Sequence, residues 1–178
     1  MLFVSRGGEK LAFALRQFAI NPQDKICADF GANKGGFTDC LLQAGAAKVY
    51  AVETGYGLLE WKLRNDPRVV TLERSNALQI KLPEKVALLV IDTGWTKLAT
   101  ILPNALKNLQ PNGQIIALLK PHYEAGQAKI TDQELADIID KVSKQIEALG
   151  LTIKHQVESP LLGQKGGNRE FLLLLQMP

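Results

Sequence analysis

Lys25-Ile26-Cys27-Ala28-Asp29-Phe30-Gly31-Ala32-Asn33-Lys34-Gly35-Gly36-Phe37-Thr38 is the stretch that decides the fold. An apolar run ends on an acidic residue and enters a glycine-rich turn that leads into a helix, the strand-to-helix turn of a nucleotide-binding α/β sheet. Three ligand readings compete for it. A P-loop has Gly31, Gly36 and Thr38 at the right spacing, but Phe37 stands where its phosphate-binding lysine belongs. A dinucleotide fingerprint needs a second glycine two residues after the first, and Asn33 removes that close backbone approach. What remains is a tight turn opened by Asp29 and followed by Glu53 at the end of a second apolar run. A carboxylate at Glu53 would accept hydrogen bonds from both ribose hydroxyls of a nucleoside, with Asp29 near the amino-acid part of S-adenosylmethionine. A turn with no ligand is the plain alternative.

Outward from this turn the chain alternates two periods. Buried parallel strands are predicted at residues 25–30, 48–52, 68–72, 86–91 and 114–119. Between them Leu98, Ile101, Leu102, Ala105, Leu106 and Leu109 keep helical spacing, and Gln110-Pro111-Asn112-Gly113 reads as the turn that ends that helix. A second helix carries Leu135, Ile138, Ile139, Val142, Ile146 and Leu149 behind a capping box from Thr131 to Glu134, with Gly150 as its stop. Two last runs, residues 151–157 and 169–176, are joined by a glycine-rich loop without a helix, as suits an antiparallel pair at one edge of the sheet. The fold class is α/β, one domain over residues 1–178.

At 178 residues and 46% hydrophobic content the chain is long and apolar enough for its own core. A net charge of +3 permits contact with a phosphate backbone without marking a dedicated nucleic-acid binder. Cys27 and Cys40 form neither a disulfide framework nor a metal-ligand pair, so no metal is expected and the thiols read as buried in a reducing cytoplasm. The apolar stretches at 1–4 and 171–175 are too short for a signal peptide or a membrane span. The expectation is a soluble, cytoplasmic protein.

Further segments carry a resemblance along nearly the whole chain. They include Val4-Ser5-Arg6-Gly7-Gly8 with Lys10, Gly35-Gly36-Phe37-Thr38-Asp39-Cys40-Leu41-Leu42, Gly55-Tyr56-Gly57, Trp61-Lys62-Leu63-Arg64, Asn76-Ala77, Val90-Ile91-Asp92, Lys120-Pro121, and Gly167-Asn168 with Glu170-Phe171-Leu172. In these the chain resembles the TlyA-like (haemolysin A family) group of FtsJ-type RNA methyltransferases. The resemblance implies a class I, Rossmann-like methyltransferase sheet with helices on both faces, S-adenosyl-L-methionine as methyl donor, and 2′-O-methylation of ribose in ribosomal RNA or a ribosomal subunit. It places a catalytic set on Lys10, Asp92, Lys120 and Glu170, and a cofactor pocket on Asp29, Gly31, Ala32, Gly35, Gly36, Phe37, Glu53, Asn76 and Asp92. Such proteins usually carry a small RNA-binding domain ahead of this unit, which points to a separate RNA-targeting partner here. Asp92-Thr93-Gly94-Trp95 replaces the usual Asp-Val-Ser-Phe, and Lys120-Pro121-His122-Tyr123-Glu124 replaces Lys-Pro-Gln-Phe-Glu.

The four residues suit a stated difficulty: a protonated ribose hydroxyl is a poor nucleophile. In one reading burial and the Lys10 charge pull the Lys120 pKa down so that its neutral amine accepts the hydroxyl proton. In the other both lysines stay charged and stabilise the forming alkoxide. The bland readings are an exposed Lys10, sheet-boundary roles for Asp92 and Lys120, and a surface ion pair between Glu170 and Arg169. Arg6, Lys10, Arg16, Lys25, Lys165 and Arg169 are candidates to flank the mouth and hold phosphates. Trp61 at helical spacing reads as core, Trp95 and His122 as possible substrate contacts, and His155 as structural. Two other functions stay open: a non-catalytic cofactor-binding ribosome assembly factor, and a methyltransferase acting on a base or small molecule.

Overall fold

The computed structural model describes residues 2–163 and 166–177. Seven strands form one sheet: β1 (Ile26–Phe30), β2 (Lys48–Val52), β3 (Val69–Leu72), β4 (Val86–Ile91), β5 (Leu109–Leu119), β6 (Thr152–Glu158) and β7 (Phe171–Gln176). Their order is β3-β2-β1-β4-β5-β7-β6. The first five pair in parallel, while β7 runs antiparallel between β5 and β6. This is the α/β architecture expected from the sequence, with strand order reversing between β1 and β4, the place where open sheets leave a ligand crevice.

The apolar runs form central strands because both of their faces are covered. On one face α1 (Gly7–Gln17), α2 (Gly36–Gln43) and α3 (Trp61–Arg64) pack over Cys27, Val49, Ala51, Leu88, Val90 and Ile116. On the other, α4 (Leu98–Asn108) and α6 (Asp132–Ala148) cover Ala28, Phe30, Val52, Leu89, Ile91 and Ala117. Alternate residues of each strand thus serve opposite layers. The capping box opens α6 as predicted, with Thr131 and Glu134 exchanging hydrogen bonds, and Gly150 at φ +78° follows its end.

Two local expectations change. The Gln110-Pro111-Asn112-Gly113 turn lies inside β5: Leu109 pairs with Val86 and Gln114 with Leu88, so the extra residues bulge out of the ladder without ending the pairing. Trp61 lies outside the core at 76% exposure, because Leu63 is the residue that α3 turns inward.

Candidate functional site

The carboxyl ends of β1 and β4 are held against each other by Gly31. At φ +90°, a Cβ on it would lie 2.5 Å from the Asp92 carbonyl oxygen, so only glycine permits this approach. A similar contact joins α2 to the start of α1, where a Cβ on Gly36 would meet the Ser5 hydroxyl at 2.1 Å. The segment before α1 is tied down by Asp39, whose Oδ2 accepts from the Val4 amide at 2.8 Å and from Lys62 Nζ at 3.0 Å. These contacts carry α1, and with it Lys10, to the rim of the sheet.

Two ion pairs meet there. Lys10 pairs with Glu170, which immediately precedes β7, and both side chains are buried. Lys120, at the start of the short helix α5 (Pro121–Ala125), has its Nζ 2.5 Å from Asp92 Oδ1. All four line one cleft of about 490 Å³, a volume in the range of small-molecule sites. Gly31, Ala32, Gly36 and Phe37 form its wall on the side of the glycine turn, with Arg6, Asn33, Lys34, His122, Tyr123 and Leu162 around them.

Burial alone would push Lys120 toward the neutral amine, but the Asp92 carboxylate beside it, reinforced by Glu170, more than reverses this and raises its pKa above the ordinary lysine value. Of the two readings of Lys120, this direction favours the one in which it stays charged over the one in which its pKa is pulled down. His122 is buried, its Nδ1 has no partner among the described residues, and burial lowers its pKa below the usual imidazole value. Tyr123 stacks on Trp95 at 4.4 Å between ring centroids and lies 5.4 Å from Lys120 Nζ. Trp95 is 79% exposed at φ +59° and follows Gly94, which lines the cleft.

Asp29 lies behind the glycine turn. Its side chain is completely buried, Oδ2 accepts from the Thr38 amide and hydroxyl, and Oδ1 has no partner among the described residues. Gly35 takes φ +93° as the residue before α2 and is likewise buried behind the wall. Glu53 stands to the β2 side, accepting from the Asn33 and Gly55 amides at 2.9 Å each. Asn76 is exposed beyond β3 and turns its side chain to its own loop, accepting from the Leu78 amide at 2.9 Å. The cleft volume, the glycine wall and the orphaned Asp29 oxygen fit an adenosyl cofactor bearing positive charge. Cys27 and Cys40 are buried thiols that burial pushes up to about 12, far from nucleophilic form.

The bland reading of Glu170 fails, since Arg169 pairs instead with Glu158, at 2.7 and 2.8 Å. Of the basic candidates, Arg6 and Lys10 line the cleft, and Arg6 donates to the Leu162 carbonyl at 3.1 Å. Lys25 sits at the amino end of β1, away from the cleft, and Arg16 faces a separate apolar groove beside Phe13. Lys165 lies outside the described residues. His155 is exposed and stacks against Phe18. Tyr123 and Lys34 were not singled out from sequence; the spacing of Tyr123 three residues after Lys120, one helical turn, was the available signal for it.

Comparison with known proteins agrees with this geometry. The model of the FtsJ-like methyltransferase family matches residues 3–176. The chain is 41% identical over 183 residues to the Mycobacterium tuberculosis protein named 16S/23S rRNA (cytidine-2'-O)-methyltransferase TlyA, covering 97% of this chain and 68% of that one. It is 40% identical to YqxC of Bacillus subtilis, a protein named as a candidate rRNA methyltransferase, over 99% of this chain and 66% of the relative. A solved structure described as a candidate hemolysin from Streptococcus thermophilus superposes with a TM-score of 0.93 at 37% identity, covering 99% of this chain and 68% of that one. The chain thus spans about two thirds of the length of these relatives. A family match over almost every residue, on a sheet whose crevice gathers Lys10, Asp92, Lys120 and Glu170, places this chain in the FtsJ-like methyltransferase family.

Proposed function

We propose that this chain is an S-adenosylmethionine-dependent methyltransferase acting on a ribose 2′-hydroxyl of ribosomal RNA, with cytidine as the favoured nucleotide. The observation that carries the reading is the pairing of Lys10 with Glu170 and Lys120 with Asp92 around one cleft beside the glycine turn. The names of the relatives supply the substrate class. When bound, the cofactor supplies an electrophilic methyl on a sulfonium, and Gly31, Ala32, Gly36, Phe37 and Glu53 would hold it.

The residues of the chain do the remaining work. Lys120 is charged at rest, so it acts first as an electrostatic stabiliser of the forming alkoxide, with Lys10 as a second cation on the same cleft. Asp92 fixes the Lys120 ammonium, and Glu170 fixes that of Lys10, so neither must reorganise as charge develops. The Trp95 and Tyr123 stack offers an exposed aromatic face to a nucleobase at the cleft edge, and Arg6 and Lys34 offer charge to phosphates.

Among the described residues no helix is long and apolar enough to cross a membrane, and a ribosomal substrate places the work in the cytoplasm. Targeting is shared with a ribosomal particle or a separate RNA-binding partner. The test is incubation with labelled S-adenosylmethionine and either ribosomal subunits or naked ribosomal RNA, followed by mapping of the label. Label on a ribose 2′-oxygen is expected; label on a base, or none with any ribosomal substrate, would overturn the reading.

A further inference from the structure

Asp29 uses one carboxyl oxygen to hold Thr38, and the other, inside the protein, has no hydrogen-bond partner among the described residues. Its neighbours make that arrangement costly for a negative charge. Asp92 at the end of β4 and Glu53 at the end of β2 bring two further carboxylates, and Cys40 faces it from α2 with a thiol, not a cation. Among the described residues no lysine or arginine pairs with it. The lysine and carboxylate pairs of the cleft leave this carboxyl unused, although it lies two residues before the glycine wall.

We infer that Asp29 is a proton-linked positioning residue: it is partly protonated in the free protein at neutral pH and releases that proton to solvent when a cationic adenosyl cofactor occupies the cleft. The inference rests on the cofactor reading given above. A buried carboxylate without a countercharge is disfavoured, and the nearby negative charges add to the penalty. The two Thr38 donors favour the ionised form but do not outweigh burial, which lifts the Asp29 pKa to about 7. A sulfonium and an ammonium brought to the other side of the glycine turn provide the missing positive charge. The step balances: the carboxylic acid becomes a carboxylate, one proton goes to solvent, and the ligand charge is the compensation. Binding that releases a proton strengthens as pH rises, up to the pH at which the free protein has already ionised.

Calorimetric titration of the protein with S-adenosylmethionine at pH 7, in phosphate and in Tris, reads the proton directly. The two binding heats should differ by the buffer ionisation heat times roughly half a proton, and affinity should rise several-fold from pH 6 to pH 8. Asp29→Asn keeps an oxygen acceptor for Thr38 and should bind with the same heat in both buffers. Should that variant not fold, the carboxyl carbon resonance of Asp29 in 13C-labelled wild-type protein should titrate near neutrality when free and shift to the ionised position on binding. Binding with equal heats in wild type, persistence of the buffer effect in Asp29→Asn, or a carboxylate resonance in the free protein at pH 6 would each overturn the inference while leaving the methyltransferase reading intact. Absence of any binding would overturn both.

Discussion

Lys10 on the first helix and Glu170 ahead of the last strand are 160 positions apart and form a buried ion pair that locks the two ends of the fold together at the cleft. Removing one partner leaves the other charge buried alone. Glu170→Ala should therefore cost about 3–5 kcal/mol in chemical denaturation, whereas breaking an exposed pair such as Lys144 with Asp140 should change stability little. Equal small losses for both would show that water reaches the Lys10 site.

Lys120→Ala should reduce methyl transfer by about 10²–10³, the range for loss of one preorganised charge-stabilising group, with little change in cofactor binding. Because Asp92 keeps Lys120 charged through neutral pH, the wild-type rate should show no inflection from Lys120 below the reference lysine value of about 10.4. A rate that climbs with an inflection between pH 7 and 9, and loses it in Lys120→Arg, would restore the lysine as the proton acceptor.

The same ion pair gives a stability prediction with a definite sign. A lysine whose folded-state pKa is raised contributes stability in full below its unfolded value of about 10.4, and that contribution disappears as pH rises through the higher folded value. The difference in unfolding free energy between wild type and Lys120→Met should be constant from pH 6 to 9 and change only above pH 10.

For Asp29 the sign is opposite. Burial lifts its folded pKa to about 7, so the native state prefers the protonated form, and stability from this group is greatest in acid and declines as pH rises from about 4 to 7. Asp29→Asn, which cannot ionise, should gain stability relative to wild type over that interval, by at least about 1 kcal/mol at pH 8 without cofactor. A constant difference between pH 4 and 8 would mean that the buried carboxyl titrates normally.

Trp95→Ala should weaken the RNA substrate, raising its KM while leaving cofactor binding and the fold unchanged, since the ring is exposed and touches Tyr123 alone among the aromatic side chains. A stacking contact with a base is worth about 1–3 kcal/mol. Unchanged KM on the ribosomal substrate would remove this stack from the RNA surface.

The strands were legible because apolar runs such as Val86 to Ile91 have both faces buried, and the α6 start because Thr131 and Glu134 act on adjacent backbone. Local signals are readable when their partners are local. The β5 bulge escaped because pairing of Leu109 with Val86 keeps the proline-glycine turn inside the ladder, a long-range effect on a local motif. Trp61 escaped because helical spacing does not say which face of a one-turn helix meets the sheet. For the site, the resemblance identified Glu170, while the charge of Lys120 depended on the position of Asp92, which only the folded geometry supplies. Tyr123 was signalled only by its spacing of one helical turn from Lys120.

The antiparallel β7 lies between β5 and β6, and Glu170 stands directly before it. During synthesis β6 therefore emerges before the strand it pairs with, and Lys10 is made 160 positions ahead of its countercharge. Neither the pairing of β6 nor the ion pair around Lys10 can form until Glu170 and β7 have left the exit tunnel, so the cleft closes its Lys10 side only after the parallel strands have been made.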